Sequence, residues 1–196
     1  MNRFHPDAVW SSGAELYRYA AERDLVSFGA MLSDDEVGRW LWFAPMSAED
    51  AIAYFRPFIN QQHESLECGE AADALVFAVD DAATGNFLGQ GAIVAVPGSE
   101  RGFEIGFQLC RHAWGRGVGT RLSQFLCAFA IEGLDAYRLE GACLEGNHAS
   151  ARLLCNLGLS CEGTFVDYRL RAGVRHTELR FGARVQDLAR GPGGAG

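Results

Sequence analysis

No stretch of this 196-residue sequence stays apolar over the roughly 20 residues that a membrane-spanning helix needs. The opening segment, MNRFHPDAVW, carries no apolar core of the kind found in secretory signals. No block of consecutive basic residues occurs either, and the formal net charge is -8. That balance argues against binding a phosphate backbone, so no nucleic acid and no membrane partner is expected. A cationic partner, such as a protonated amine or a basic peptide, is the better electrostatic match. The cysteines Cys68, Cys110, Cys127, Cys143, Cys155 and Cys161 form no CxxC pair and no Cys/His cluster at zinc spacing, so no metal site is expected. Most lie in apolar runs, where a thiol behaves as a small hydrophobe, and the reading is of reduced thiols in the cytoplasm. No internal repeat and no interdomain linker stands out. The expectation is one domain over residues 1–189, followed by a mobile Gly-rich tail over 190–196.

What is present is an ordinary globular composition, 48% hydrophobic, with alternating helix-like and strand-like patterns. Ala14 to Tyr19 reads as a first strand. Asp24 precedes a helix through Met31. Ser33-Asp34-Asp35-Glu36 looks like a second helix start running into Val37 to Trp42. Ser47 to Asp50 has capping-box spacing, and Ile52, Phe55 and Ile59 follow at helical intervals, with Pro57 as a bend point. From Leu75 the period changes. Leu75 to Val79, Phe87 to Val96 and Gly102 to Cys110 read as an antiparallel meander. A Gly-rich turn leads into a helix to about Leu134, with an inward stripe of Val118, Leu122, Phe125, Leu126 and Phe129. Tyr137 to Leu144 is a strand, and Ala149 to Leu157 is a short helix stopped by Gly158. A hairpin of Leu159 to Leu170 and Thr177 to Val185 closes the chain. The fold class is therefore mixed α/β (α+β), with a mostly antiparallel sheet flanked by helices.

The most informative segment is Trp114-Gly115-Arg116-Gly117-Val118-Gly119-Thr120, which sits directly between a strand and a helix. Glycines there let backbone approach a ligand closely. The free amides of the helix start and the positive end of its dipole suit a pyrophosphate, and Arg116 is placed to add a mobile counter-charge. The segment is neither a Walker motif nor the dinucleotide GxGxxG fingerprint, and taken alone it is equally readable as a plain turn.

Other segments narrow this. Glu104-Ile105-Gly106-Phe107, Trp114 through Thr120, Asn147-His148-Ala149-Ser150-Ala151-Arg152 running to Leu157-Gly158-Leu159, and Glu162-Gly163-Thr164 with Asp167-Tyr168 follow in order. In these the sequence resembles the GNAT superfamily of acetyl-CoA-dependent N-acetyltransferases, particularly the branch containing ribosomal-protein N-terminal acetyltransferases. The resemblance extends from about Leu75 to Val185 and is looser before that. It implies a splayed sheet whose gap receives the pantetheine arm of acetyl-CoA. It further implies backbone contacts to that arm from Phe107, Gln108, Leu109 and Cys110, and a pyrophosphate cradle at Trp114, Gly115, Arg116, Gly117, Val118, Gly119 and Thr120. Trp114 replaces the Gln or Arg of many members, as is common in this branch.

The same resemblance implies direct attack of an amine on the thioester, with Glu104 as general base. The alternative for Glu104 is a solvated acid or a structural ion pair. Asn147 matches the asparagine that hydrogen-bonds pantetheine, and it also reads as a helix cap. Ser150 falls where this branch often places a hydroxyl near the CoA sulfur, although a capping serine explains it as well. Many members carry a tyrosine acid on this helix where this chain has Leu154. Asp167 and Tyr168 border the acceptor site in the branch, but the residue that follows is Arg169 rather than an acid. His112 lies near the Gly-rich turn. His63, His148 and His176 have no visible partner. Cys110 and Cys143 are expected to be inert near the CoA channel. Trp40, Trp42, Phe43, Phe55 and Phe58 are mostly core, with one or two available to wall the acceptor pocket.

The implied activity is transfer of an acetyl group to a primary amine, either a protein N-terminus or a small molecule. A non-catalytic CoA-binding sensor of the same fold is the alternative, and a protein holding another phosphate ligand in the Gly turn comes third. Homodimerisation is common among relatives and is left open by the sequence.

Overall fold

In a computed structural model, residues 3–43 and 46–188 are described. An eight-stranded sheet runs through them in the order β1-β2-β3-β4-β5-β6-β8-β7. Its strands are β1 (Val9–Ser12), β2 (Glu15–Tyr19), β3 (Ala74–Asp81), β4 (Phe87–Ala95), β5 (Gly102–Leu109), β6 (Arg138–Leu144), β7 (Ser160–Arg171) and β8 (Val174–Arg184). All neighbours are antiparallel except β5 and β6. The helices are α1 (Leu25–Leu32), α2 (Asp35–Gly38), α3 (Ala48–Glu67), α4 (Val118–Leu134), α5 (His148–Asn156) and α6 (Val185–Leu188).

Strand β3 explains the two-sided build. Leu75, Phe77 and Val79 join the core formed with α4, whereas Val76 and Ala78 join the core formed with α1 and α3. Successive side chains of a strand point to opposite faces, so a run apolar at every position demands cover on both sides. Helix α4 supplies one cover. Leu122 and Leu126 are fully buried, each contributing about 1.5–3 kcal/mol by its removal from water. Gly91 of β4 lets the helix seat this closely, because a Cβ there would stand 2.9 Å from Leu126 Cδ1.

Helix α3 covers the other face. It starts where Ser47 Oγ accepts from the Asp50 amide at 3.0 Å, and it continues unbroken past Pro57. Its Gln62 is buried and links β3 to the residue that follows β2, donating to the Ala20 carbonyl at 3.1 Å and accepting from the Val76 amide at 2.5 Å.

Two expectations change. The N-terminal strand is half of a hairpin, β1–β2, whose Trp10 packs edge-on against Tyr19, Phe77 and Phe129. The helix expected over Asp34 to Trp42 ends at Gly38, after Asp34 Oδ1 caps the Glu36 and Val37 amides. Its aromatic continuation becomes a loop. The Gly-rich tail over 190–196 lies outside the described residues.

Candidate active site

The parallel pair β5–β6 matches residue for residue only at Gly102–Arg138, Phe103–Leu139 and Glu104–Glu140. Beyond Glu104 the two strands diverge, and a cleft opens between Ile105–Gln108 on one side and Ala142–Leu144 on the other. Its volume is about 140 Å³. The cleft is lined further by Asn147, Ser150 and Leu154 of the α5 segment, by Glu178 of β8 and by the Trp40–Phe43 loop.

Strand register fixes which backbone groups face the gap. The Cys110 amide donates to the Leu88 carbonyl at 2.9 Å, so Cys110 and, by alternation, Gln108 turn their backbone polar groups toward β4. Ile105, Phe107 and Leu109 turn theirs toward the gap, where β6 no longer pairs with them. The Leu109 carbonyl is taken by Trp114 Nε1 at 2.9 Å. Among the four residues expected to supply backbone contacts, Phe107 and Leu109 thus present backbone to the gap. Gln108 also lines the cleft, and its side-chain Oε1 accepts from Gln90 Nε2 at 2.6 Å.

The Gly-rich turn leaves β5 through a short 3-10 turn at Arg111–Ala113 and opens α4. Gly115 and Gly117 take φ of +72° and +76°, which favour glycine. From Gly115 to Thr120 no backbone amide donates to any group among the described residues; the first amide of α4 to find one is that of Arg121, which donates to the Gly117 carbonyl. The turn lies beside the end of β5 and α5, since a Cβ on Gly119 would meet Leu109 Cδ1 at 3.4 Å and Leu153 Cδ1 of α5 at 3.2 Å. Unpaired N–H groups, positive φ and the helix dipole together give this turn the chemistry that suits an anion.

The turn is braced by a pair that the sequence did not single out. Arg121 Nε and Nη2 bond Glu15 of β2 at 2.5 and 2.6 Å, and Nη2 also donates to the Arg116 carbonyl at 2.9 Å. Glu15 is almost fully buried. Arg116, expected as a mobile counter-charge, is tethered to Asp81 at 3.2 Å. His112 Nε2 lies 3.2 Å from the Phe87 carbonyl.

At the point of divergence stands Glu104. The residue is exposed, yet atoms packed around its carboxyl desolvate it, which raises its pKa above the ordinary carboxylate value. Arg180 pulls the other way, Glu178 and Glu140 push it further up, and Arg169 opposes them. A carboxyl lifted in this way keeps a higher proton affinity while remaining reachable, which suits general base work near neutrality. Asn147 caps α5, its Oδ1 accepting from the Ser150 amide at 3.1 Å, so the cap role and the cleft position coincide. Leu154 is buried and packs over Gly141 of β6. Cys143 lines the cleft, and its thiol is pushed up to about 11, chiefly by burial; Cys110 is pushed up to about 11 for the same reason. Both therefore stay protonated and poorly nucleophilic.

Sequence reasoning also missed Glu178. It is buried on β8, and its two oxygens are held separately, one by Arg169 Nε and the other by Arg180 Nε at 2.9 Å. Asp167 and Tyr168 sit in an irregular stretch of β7 between Phe165 and Arg169, and Asp167 has φ of +52°. Tyr168 Oη is 3.4 Å from Arg180 Nη2. Phe55 is core, whereas Trp42 and Phe43 wall the cleft along with Trp40. Among the described residues no cluster of three or more His, Cys, Asp or Glu is arranged to hold a metal, and no helix is long and apolar enough to cross a membrane.

Comparison with known proteins identifies the family and the fold. A family model described as acetyltransferase (GNAT) domain matches residues 16–160. An uncharacterised N-acetyltransferase, YoaA, of Bacillus subtilis (strain 168) is 24% identical over 162 residues, covering 81% of this chain and 86% of its own. Among solved structures, the ribosomal-protein-S5-alanine acetyltransferase from Vibrio fischeri superimposes with a TM-score of 0.77 at 17% identity, over 93% of this chain and 99% of that one. The spermidine N-acetyltransferase from Vibrio cholerae, solved with CoA and spermine, gives 0.76 at 15% identity, over 91% and 99%.

Proposed function

Since this chain belongs to the GNAT acetyltransferase family, we propose that it transfers an acetyl group from acetyl-CoA to a primary amine, either a protein N-terminus or a small molecule. The single observation carrying the reading is the early end of the β5–β6 pairing beside a row of unpaired amides. An extended chain ending in a diphosphate fits that shape. Pantetheine pairs with the gap-facing backbone of Phe107 and Leu109, assisted by Asn147, while Gln108 and Cys110 border it. The diphosphate lies on the amides from Gly115 to Thr120, with Trp114 as the edge of the turn and the Gly117, Val118 and Gly119 amides opening the helix.

The amine nitrogen attacks the thioester carbonyl carbon. The C–N bond forms, the C–S bond breaks, and the sulfur leaves as thiolate. Glu104 takes the proton lost by the nitrogen, directly or through one water, and its raised pKa makes it a competent acceptor. Ser150 hydrogen-bonds the departing sulfur. Leu154 offers no proton there, and a CoA thiol is acidic enough to leave without one. Trp40, Leu41, Trp42 and Phe43 border the same cleft and supply an apolar wall beside the thioester. All these groups come from one chain. The six free cysteines favour the cytoplasm as the setting.

The test is a mass-spectrometric transfer assay with acetyl-CoA over peptide N-termini, amino acids and polyamines. Acetyl-CoA-dependent mass gain on at least one amine is expected. Tight CoA binding with no transfer to any amine would replace this reading with that of a CoA-binding sensor, an alternative that draws on Leu154.

A further inference from the structure

We propose that Arg169 is an acceptor-binding residue that takes a carboxylate, so that the amine acetylated by this chain is that of a free amino acid rather than of a polyamine. The inference rests on the acetyl-transfer reading and adds to it the chemical class of the acceptor.

Arg169 lines the cleft that Glu104 also lines. Its Nε is engaged by buried Glu178, and its guanidinium lies 4.4 Å from the Trp42 ring centre and 5.0 Å from that of Tyr168. A guanidinium anchored at Nε and flanked by two rings has little freedom left to lose on binding. Its two terminal nitrogens, Nη1 and Nη2, donate to nothing among the described residues. Such a fork matches a carboxylate with two parallel N–H···O bonds.

The remaining charges favour the same class. The negative charge of Glu178 is already compensated by two guanidinium groups, Arg169 on one oxygen and Arg180 on the other, so it is a weak anchor for a substrate ammonium. Glu104 is the open carboxylate in the cleft. A polyamine, whose remaining nitrogens along the chain from its reactive terminal amine are cationic, would set a positive charge against Arg169 in the cleft. A molecule with one amine and one carboxylate meets Glu104 at one end and Arg169 at the other. The overall acidity of the chain suggests a cationic partner, but the cleft itself is arranged for a zwitterion.

The experiment compares kcat/KM for free L-amino acids, their matched carboxamides, short peptides and spermidine, with wild type and Arg169→Gln. Free acids should exceed their carboxamides by about 10- to 100-fold, the range of one charge-assisted pair. In Arg169→Gln that ratio should fall toward one, because KM for the free acids rises toward that of their carboxamides. Should the variant fold poorly, the wild-type ratio still decides. Preference for spermidine, peptides or carboxamides, or a ratio unchanged in Arg169→Gln, overturns this inference and leaves the acetyl-transfer reading standing. Absence of transfer to every amine overturns the parent reading and this one together.

Discussion

Replacing Glu104 with Gln separates catalysis from stability. The amide keeps the shape of the side chain and removes its charge and basicity. General base catalysis of this kind contributes about 10²- to 10⁴-fold, so kcat/KM at neutral pH should fall by roughly 100-fold or more, with KM for acetyl-CoA little changed. Stability should move the other way. Desolvation of its carboxyl raises the folded-state pKa of Glu104 above its unfolded value. The folded protein therefore holds this proton more tightly than the unfolded chain. Stability from this group is present at low pH and is lost as pH rises from the unfolded to the folded value. At neutral pH the charge is a slight burden, so Glu104→Gln should unfold in urea at the same or a slightly higher concentration, a change within about 0.5 kcal/mol for so open a position. The wild-type rate should fall on acidification with a midpoint above the ordinary carboxylate range, and that limb should vanish in the variant. A rate within twofold of wild type across the pH range would remove Glu104 as base. A marked loss of stability would show that it is a structural partner instead.

Glu15→Gln breaks a nearly fully buried carboxylate from Arg121. Because that guanidinium is only partly buried, a loss of about 2–3 kcal/mol by urea unfolding is expected, with a raised KM for acetyl-CoA because the brace on the Arg116 carbonyl is loosened. Gly117→Ala imposes a side chain at φ of +76° and sets its Cβ 2.7 Å from Arg121 Nη1; about 1–2 kcal/mol of stability and a several-fold weaker acetyl-CoA affinity by calorimetry should follow. Ser150→Ala removes one hydrogen bond to a sulfur that can leave unaided, so kcat should drop by less than about 10-fold; a far larger drop would make Ser150 the required acid.

Much of this was legible in sequence for identifiable reasons. The α4 stripe of Val118, Leu122 and Leu126 is periodic and ends buried, and the glycines at 115 and 117 take the positive φ that a turn of that kind demands. The antiparallel meander from Leu75 to Cys110 appears with shifts of a residue or so. Three things were hidden. Strand β1 is four residues with two serines, too short to show a period, and it exists because Trp10 joins a cluster of rings distant in sequence. Val37 to Trp42 has apolar residues enough for a helix, yet Trp40 and Trp42 line the cleft instead of continuing α2. Glu178 and Glu15 look like ordinary strand acids. Their partners are set by strand pairing across an irregular β7 and by a contact between β2 and α4, which no local pattern encodes.

The central claim is that backbone amides from Gly115 to Thr120 hold the diphosphate of CoA beside the open strands. The most direct measurement is the amide spectrum of ¹⁵N-labelled protein titrated with CoA and, separately, with pantetheine. The Gly115, Gly117 and Gly119 amide protons should move downfield with CoA and stay in place with pantetheine, which lacks the diphosphate. Saturation with CoA that leaves those three signals where they began would contradict the account.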